Sequence, residues 1–392
     1  MNSRSLKLAA ISLLALTAAL GAGTTGCATE QADDSEGGSA VTDKRPPQFV
    51  VLAFDGSYNL EFWKESRAFA KELNAAGKPM KFTYFMSGVY FVPNAKKSIY
   101  VAPHGLGAGK SAIGFGGTED EIKTRVEQVD LAAAEGHEMA SHANGHFDGS
   151  TWSKADWDSE FAQFNQIFFG NKSVKPLSAV KEADIVGFRA PQLGHSPGLF
   201  QTLPEQNYTY DTSKSGAANY WPEKINGVWN MALAQLKIVG SGKNTLSMDY
   251  NFYVAQSKGN PDAANAAKYQ KEMIDTYRAY FKNNYYGNRA PVHIGHHFSK
   301  WNGGAYWNAM KDFAKEVCGK PEVKCVTYKE LVTFMEGLTP AQRRDFQAGD
   351  FPKLPRPTGN DSARDVPASF FDTPGEGDFV GDEEGAHEHG AE

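Results

Sequence analysis

The chain has 392 residues, 41% hydrophobic and 12% aromatic, with a formal net charge of -6. That length permits one large domain or two ordinary ones, and the charge gives no reason to expect nucleic acid, which calls for basic patches. The 16 Tyr, 25 Phe and 7 Trp can build a core, a sugar-stacking groove, or both.

Residues 1–27 read as an export signal. "MNSRSLK" is basic, and "LAAISLLALTAAL" is an apolar stretch too short to span a bilayer as a mature helix. It ends in "GTTGC". A small residue before cysteine resembles a bacterial lipobox, which implies cleavage and lipid attachment to a membrane at Cys27. Thr24 departs from the usual Leu, which keeps plain secretion open. Ala28, in place of Asp, resembles the outer-membrane sorting pattern. The expected location is the exported cell envelope, as an outer-membrane-anchored lipoprotein, or otherwise periplasmic or secreted. Residues 28–46 are small, polar and acidic, a flexible tether.

Strand-like and helix-like runs then alternate. "QFVVLAF" reads as a buried strand that delivers Asp55 into a glycine turn. The next run, "NLEFWKESRAFAKELNAAG", puts Phe62, Ser66, Phe69 and Leu73 on one helical face and stops at Gly77. "MKFTYFM" is a second strand. Residues 89–117 form a long glycine-rich connection of the kind that often covers a site; "GLGAGKSA" within it has the wrong spacing for a phosphate loop. The helix "TEDEIKTRVEQVDLAAAEG" opens with a capping box, Thr118 to Glu121, and aligns Ile122, Val126 and Val129. A short strand ends at His142. "SKADWDSEFAQFNQIFF" places Trp157, Phe161, Phe164 and Phe168 on a helix, and "IVGFRA" and "APVHIGHHF" are further strands. This alternation predicts a parallel α/β fold in one domain, residues 47–340. Chemistry in such folds gathers at the carboxyl ends of the strands, where Asp55, His142, Arg189 and His296 all fall. Residues 341–392 are predicted to be a mostly disordered acidic tail, with solvated His387 and His389. Of the three cysteines, Cys27 would carry lipid. Cys318 and Cys325 are then expected to pair, because export is oxidising and the count comes out even.

His142 and His146 form an H-x-x-x-H pair. On a helical turn two such imidazoles share a face and can hold one cation; surface or core histidines give the same spacing by chance. Asp55 is either a turn residue or a base or metal ligand. Arg189 can orient that acid through its guanidinium fork, or serve stability alone. In "HIGHH", His293 and His297 share one side of a strand and His296 the other. Trp229 could stack on a sugar or pack in the core.

Together these residues resemble the polysaccharide deacetylases, the NodB-homology family (carbohydrate esterase family 4), over roughly residues 47–337, with a flavour of the insect-type chitin deacetylase branch. "LAFDGSYN", "SHANGH", "FRAPQLG", "YTYDTS" with "GVWNMALAQL", and "NRAPVHIGHH" look like the family motifs in order. The resemblance implies a distorted (β/α) barrel and a divalent ion, usually zinc, held by His142 and His146. It also implies metal-activated removal of N-acetyl groups from a glycan polymer such as chitin or peptidoglycan. Asp55 would be the base, Arg189 its support, and His296 or His297 the acid. His296 fits better by the strand phase it shares with Val292 and Ile294. Pro191, Asp211 and Trp229 would lie on the substrate side. The family has two adjacent aspartates where this chain has Asp55 and Gly56. An ungapped reading keeps Asp55 as the base; a one-residue slip would make it the ligand. Asp148 is a candidate substitute ligand. A glycan-binding lipoprotein without turnover and an O-acetyl esterase on polysaccharide are the alternatives.

Overall fold

The computed structural model describes residues 45–357 and 366–371. The signal, Cys27, almost all of the tether, His387 and His389 lie outside the described residues. In chain order the first elements are β1 (Gln48–Asp55), α1 (Leu60–Ala75), β2 (Phe82–Met86), β3 (Val101–Ala102), β4 (Gly107–Ala108), α2 (Glu119–Ala134), β5 (Glu138–Ser141) and α3 (Lys154–Phe168). Next come β6 (Gly187–Phe188), α4 (Pro197–Glu205), β7 (Tyr210–Asp211), β8 (Ser215–Gly216), β9 (Glu223–Ile225), β10 (Val228–Asn230), β11 (Leu233–Lys237) and β12 (Asn244–Leu246). The chain continues through α5 (Asp249–Ser257), α6 (Ala266–Tyr285), β13 (Val292–His297), α7 (Trp301–Val317), β14 (Val323–Val326), α8 (Tyr328–Glu336) and α9 (Pro340–Ala348).

The main sheet runs β13-β1-β2-β5-β6-β7-β10-β9, parallel except for the β10–β9 pair, and β14 joins it along the first half of β1. β1 is buried on both faces, which is why its sequence is a continuous apolar run. Val50, Leu52 and Phe54 pack outward with Phe62, Trp63 and Phe69 of α1 and Trp307 of α7. Phe49, Val51 and Ala53 face an inner cluster with Phe85, Ala140, Tyr210, Trp229 and Tyr328. β1 and β6 are three strand places apart, about 14 Å in a flat sheet. Yet Arg189, just after β6, reaches Asp55 at the end of β1 at 2.6 Å, so the sheet is curled. This is the distorted (β/α) barrel that the resemblance implies, built on the parallel sheet that the strand–helix alternation predicts.

The predicted capping box of α2 forms, with Thr118 and Glu121 each bonding the other's backbone N–H. The Cys318–Cys325 disulfide is present and closes the turn between α7 and β14. The ordered domain runs further than residue 340. Thr339 and Gln342 make a capping box that starts α9, and Phe346, Phe351 and Phe371 are buried.

Candidate active site

The carboxyl ends of β1, β5, β6 and β13 bring five polar side chains together. Asp55, 2% exposed, accepts a 2.6 Å hydrogen bond from Arg189 Nη1. The guanidinium is fully buried and held on every side. Its Nε donates to Thr212 Oγ1 at 2.6 Å, its Nη2 donates to the Tyr328 hydroxyl at 3.3 Å, and its Cζ lies 4.4 Å from the Phe85 ring centre. Burial alone would lower the Arg189 pKa, but Asp55 and the surrounding hydroxyls raise it. The Arg189 fork thus fixes one carboxylate oxygen of Asp55 and leaves the other to act.

His142 follows β5 and donates from Nδ1 to the Arg189 carbonyl at 2.8 Å, which leaves Nε2 with its lone pair. Its ring centre lies 5.2 Å from that of His146. Burial pushes both imidazoles down to about 3, so both are neutral at pH 7. The helical turn expected for this pair does not form. The segment after β5 is a loop in which Ala143 (φ +55°) and His146 (φ +58°) adopt left-handed conformations, and these bring the rings together. A buried acid absent from the sequence expectations holds this loop. Glu160 of α3, fully buried, accepts from the backbone N–H of Asn144 at 2.7 Å and from the Tyr100 hydroxyl at 2.9 Å. Tyr100 comes from the long glycine-rich connection, whose Ala112 N–H also bonds the Gly145 carbonyl. An acid amid the apolar face of Trp157, Phe161 and Phe164 was the available signal.

β13 pairs in register with β1, with Phe54 beside His296 and Asp55 beside His297. His297 therefore shares the inner face with Asp55. It donates from Nδ1 to Asp249 Oδ1 at 2.7 Å, and its backbone N–H donates to Oδ2 at 2.9 Å. Burial alone would raise the Asp249 pKa; His297 and His296 outweigh it and hold the carboxyl low. His296 is turned to the helix layer, against Phe54 and the Tyr277 hydroxyl at 3.1 Å. The structure thus puts His297, and not His296, on the face that carries Asp55. Both faces of β13 are buried, so sharing a phase with Val292 and Ile294 put His296 in the outer core.

The structure places the four other candidate residues as follows. Asp148 is exposed, and its carboxylate accepts from the Ser150 N–H at 2.9 Å and the Ser150 hydroxyl at 3.0 Å, as in a local turn. Trp229 is 1% exposed and donates to Glu336 Oε1 at 2.8 Å, so it is a core residue. Pro191 is buried at the start of a one-turn 3-10 helix. Asp211 is buried and accepts from the Ser213 hydroxyl at 2.5 Å; that hydroxyl in turn accepts from the Ala190 N–H, which steadies the segment after Arg189.

Two neutral imidazoles, one oriented by a carbonyl, suit a divalent ion as two of its ligands. Among the described residues, no three or more His, Cys, Asp or Glu side chains gather to hold a metal. Gly56, where the resemblance leads one to expect a second aspartate, has φ +93°. That backbone disfavours any side chain, so Gly56→Asp is expected to lower stability by about 1–3 kcal/mol, measured by urea unfolding of the metal-free protein.

Below this cluster, His293 is buried with no hydrogen-bond partner for either nitrogen, stacked 5.5 Å from the Tyr328 ring. Burial and Arg189 lower its pKa to about 3. The unfolded chain takes up a proton near pH 6.5 and the folded chain does not, so His293 removes stability as pH falls from 6.5 toward 3. His293→Phe keeps the stacking. Its stability advantage over the parent is expected to grow on acidification by up to about 1.4 kcal/mol per pH unit, read by urea unfolding across that range.

The chain matches no family model and no curated protein sequence. Solved structures resemble it at low identity. One, described as a polysaccharide deacetylase from Mycobacterium smegmatis, is 14% identical with a TM-score of 0.46, covering 81% of this chain and 99% of that one. The Xyl-CE4 domain of a multidomain xylanase, from the hindgut metagenome of Trinervitermes trinervoides, is 13% identical with a TM-score of 0.39, covering 75% and 94%. A CE4 family pseudoenzyme from Bacillus anthracis is 8% identical with a TM-score of 0.40, covering 73% and 66%.

Proposed function

We propose that this chain is a metal-dependent hydrolase that removes N-acetyl groups from an amino-sugar polymer. The observation that carries the reading is the meeting of Asp55, anchored by Arg189, with two neutral imidazoles and the His297–Asp249 pair at one end of the barrel. A divalent ion, zinc foremost, held by His142 and His146 would supply Lewis acidity to the acetyl carbonyl and to water. Asp55 accepts the proton of the attacking water through the oxygen that Arg189 leaves free. His297 presents Nε2 to the leaving nitrogen and delivers a proton there, while Asp249 offsets the imidazolium charge. Acetate and a free amino sugar are the products. Purified full-length protein supplied with zinc or cobalt should release acetate from chitin oligosaccharides or peptidoglycan. No release from either would reject the catalytic reading for those substrates.

The incomplete ligand set and the left-handed Gly56 favour a second reading, a glycan-binding protein without turnover. It predicts glycan binding that survives chelator and His142→Ala, with no acetate formed. An esterase acting on O-acetylated polysaccharide would use the same residues and would show in the substrate profile. Envelope anchoring through lipid on Cys27 completes the proposal. Cys27→Ser should shift the protein from the membrane fraction to the soluble fraction.

A further inference from the structure

Six of the seven tryptophans are buried, and Trp301 alone is partly exposed. It stands four residues after His297, and its ring centre lies 5.2 Å from the His297 ring. Tyr253 lies parallel to it at 5.1 Å and 5°, backing one face. Tyr250 meets it at 5.5 Å and 61°, and also lies 6.1 Å from His297. The part of the indole that these three rings do not cover is what remains for contact with solvent.

The mount beneath Trp301 is rigid. Asn302, Gly303 and Gly304 follow in succession with φ of +51°, +68° and +79°. A non-glycine residue stays in that region only where its surroundings fix it. Asn302 is fixed on three sides: its Oδ1 accepts from the Asp262 N–H at 2.7 Å, and its Nδ2 donates to the Tyr306 hydroxyl at 2.9 Å and the Ser257 hydroxyl at 3.2 Å. An aromatic ring held this way loses little conformational freedom on binding.

We infer that Trp301 is a sugar-binding platform, taking the apolar C–H face of the pyranose ring next to the reacting amide. A partly exposed indole, backed by a parallel tyrosine beside His297, suits a sugar ring, whose hydroxyls point sideways and whose axial C–H groups form a flat apolar surface. No other tryptophan is placed to do this, since Trp229 is sealed in the core. The inference rests on the reading of His297 as the proton donor to a glycan, but its test does not depend on turnover.

The test is binding of chitin hexasaccharide to full-length protein carrying Asp55→Asn, which removes hydrolysis. Calorimetry gives affinity, and acrylamide quenching reports the accessible tryptophan. The sugar should shield Trp301 from acrylamide, and Trp301→Ala should abolish that shielding and weaken binding about ten-fold or more. Trp301→Phe should stay within about three-fold, because a flat ring remains. Trp301→Leu keeps the assay decisive if the alanine variant fails to fold, and should weaken binding as alanine does. Unchanged quenching on adding the sugar, or equal affinity in the folded leucine and parent proteins, would overturn the assignment. Acetate release by the parent protein, which keeps Asp55, without a Trp301 effect on binding would overturn the platform and leave the hydrolase standing; a Trp301 effect on binding without acetate release by the parent would do the reverse.

Discussion

Asp55→Asn is expected to lower acetate release by about three orders of magnitude, within the range typical for loss of a general base. Asparagine keeps the shape of the side chain and can still accept from Arg189 through its amide oxygen. What it loses is the capacity to take a proton. Among the described residues, three other aspartates that come into question are engaged elsewhere. Asp148 is bonded to Ser150, Asp249 to His297, and Asp211 to Ser213. The measurement is kcat on chitin oligosaccharides at a fixed metal concentration, beside the urea midpoint of each protein. A variant that folds, binds metal and retains more than about a tenth of parental kcat would remove Asp55 from the role of base.

Arg189→Met should have the largest effect on stability. The guanidinium is completely enclosed and bonds Asp55, Thr212 and Tyr328, three groups from separate parts of the barrel. Removing one partner of a buried ion pair leaves the other charge desolvated and uncompensated, a loss of about 3–5 kcal/mol. Methionine fills much of the same volume, so the loss reads mainly as electrostatics and missing hydrogen bonds. His142 is oriented by the backbone carbonyl at position 189, which the substitution leaves in place. Metal affinity is therefore expected to change less than stability or kcat. Urea unfolding at pH 7 with and without zinc separates these effects.

Much of the barrel was legible because its rules are local. The apolar strands, the capping box at Thr118 and the aromatic stripe of α3 all follow from neighbours in sequence. The site was legible as a set of residue types and less so as geometry. The H-x-x-x-H spacing suggested a helix, but left-handed Ala143 and His146, with Glu160 behind them, make a loop that serves the same end. Choosing between His296 and His297 needed the pairing of β13 with β1, because a strand buried on both faces carries no alternation that marks its inner side. Asp249 and Trp301 had no motif. They reach His297 only because α5 and the start of α7 converge at the end of β13. Trp229 looked available because aromatic content in a sequence does not report burial.

The central claim, that His142 and His146 grip a divalent ion beside Asp55, is tested most directly by calorimetric titration of chelator-stripped full-length protein with zinc. One equivalent should bind, persist in Asp55→Asn, and be lost in both His142→Ala and His146→Ala. No binding to the folded parent protein, or binding indifferent to both histidine substitutions, would contradict it.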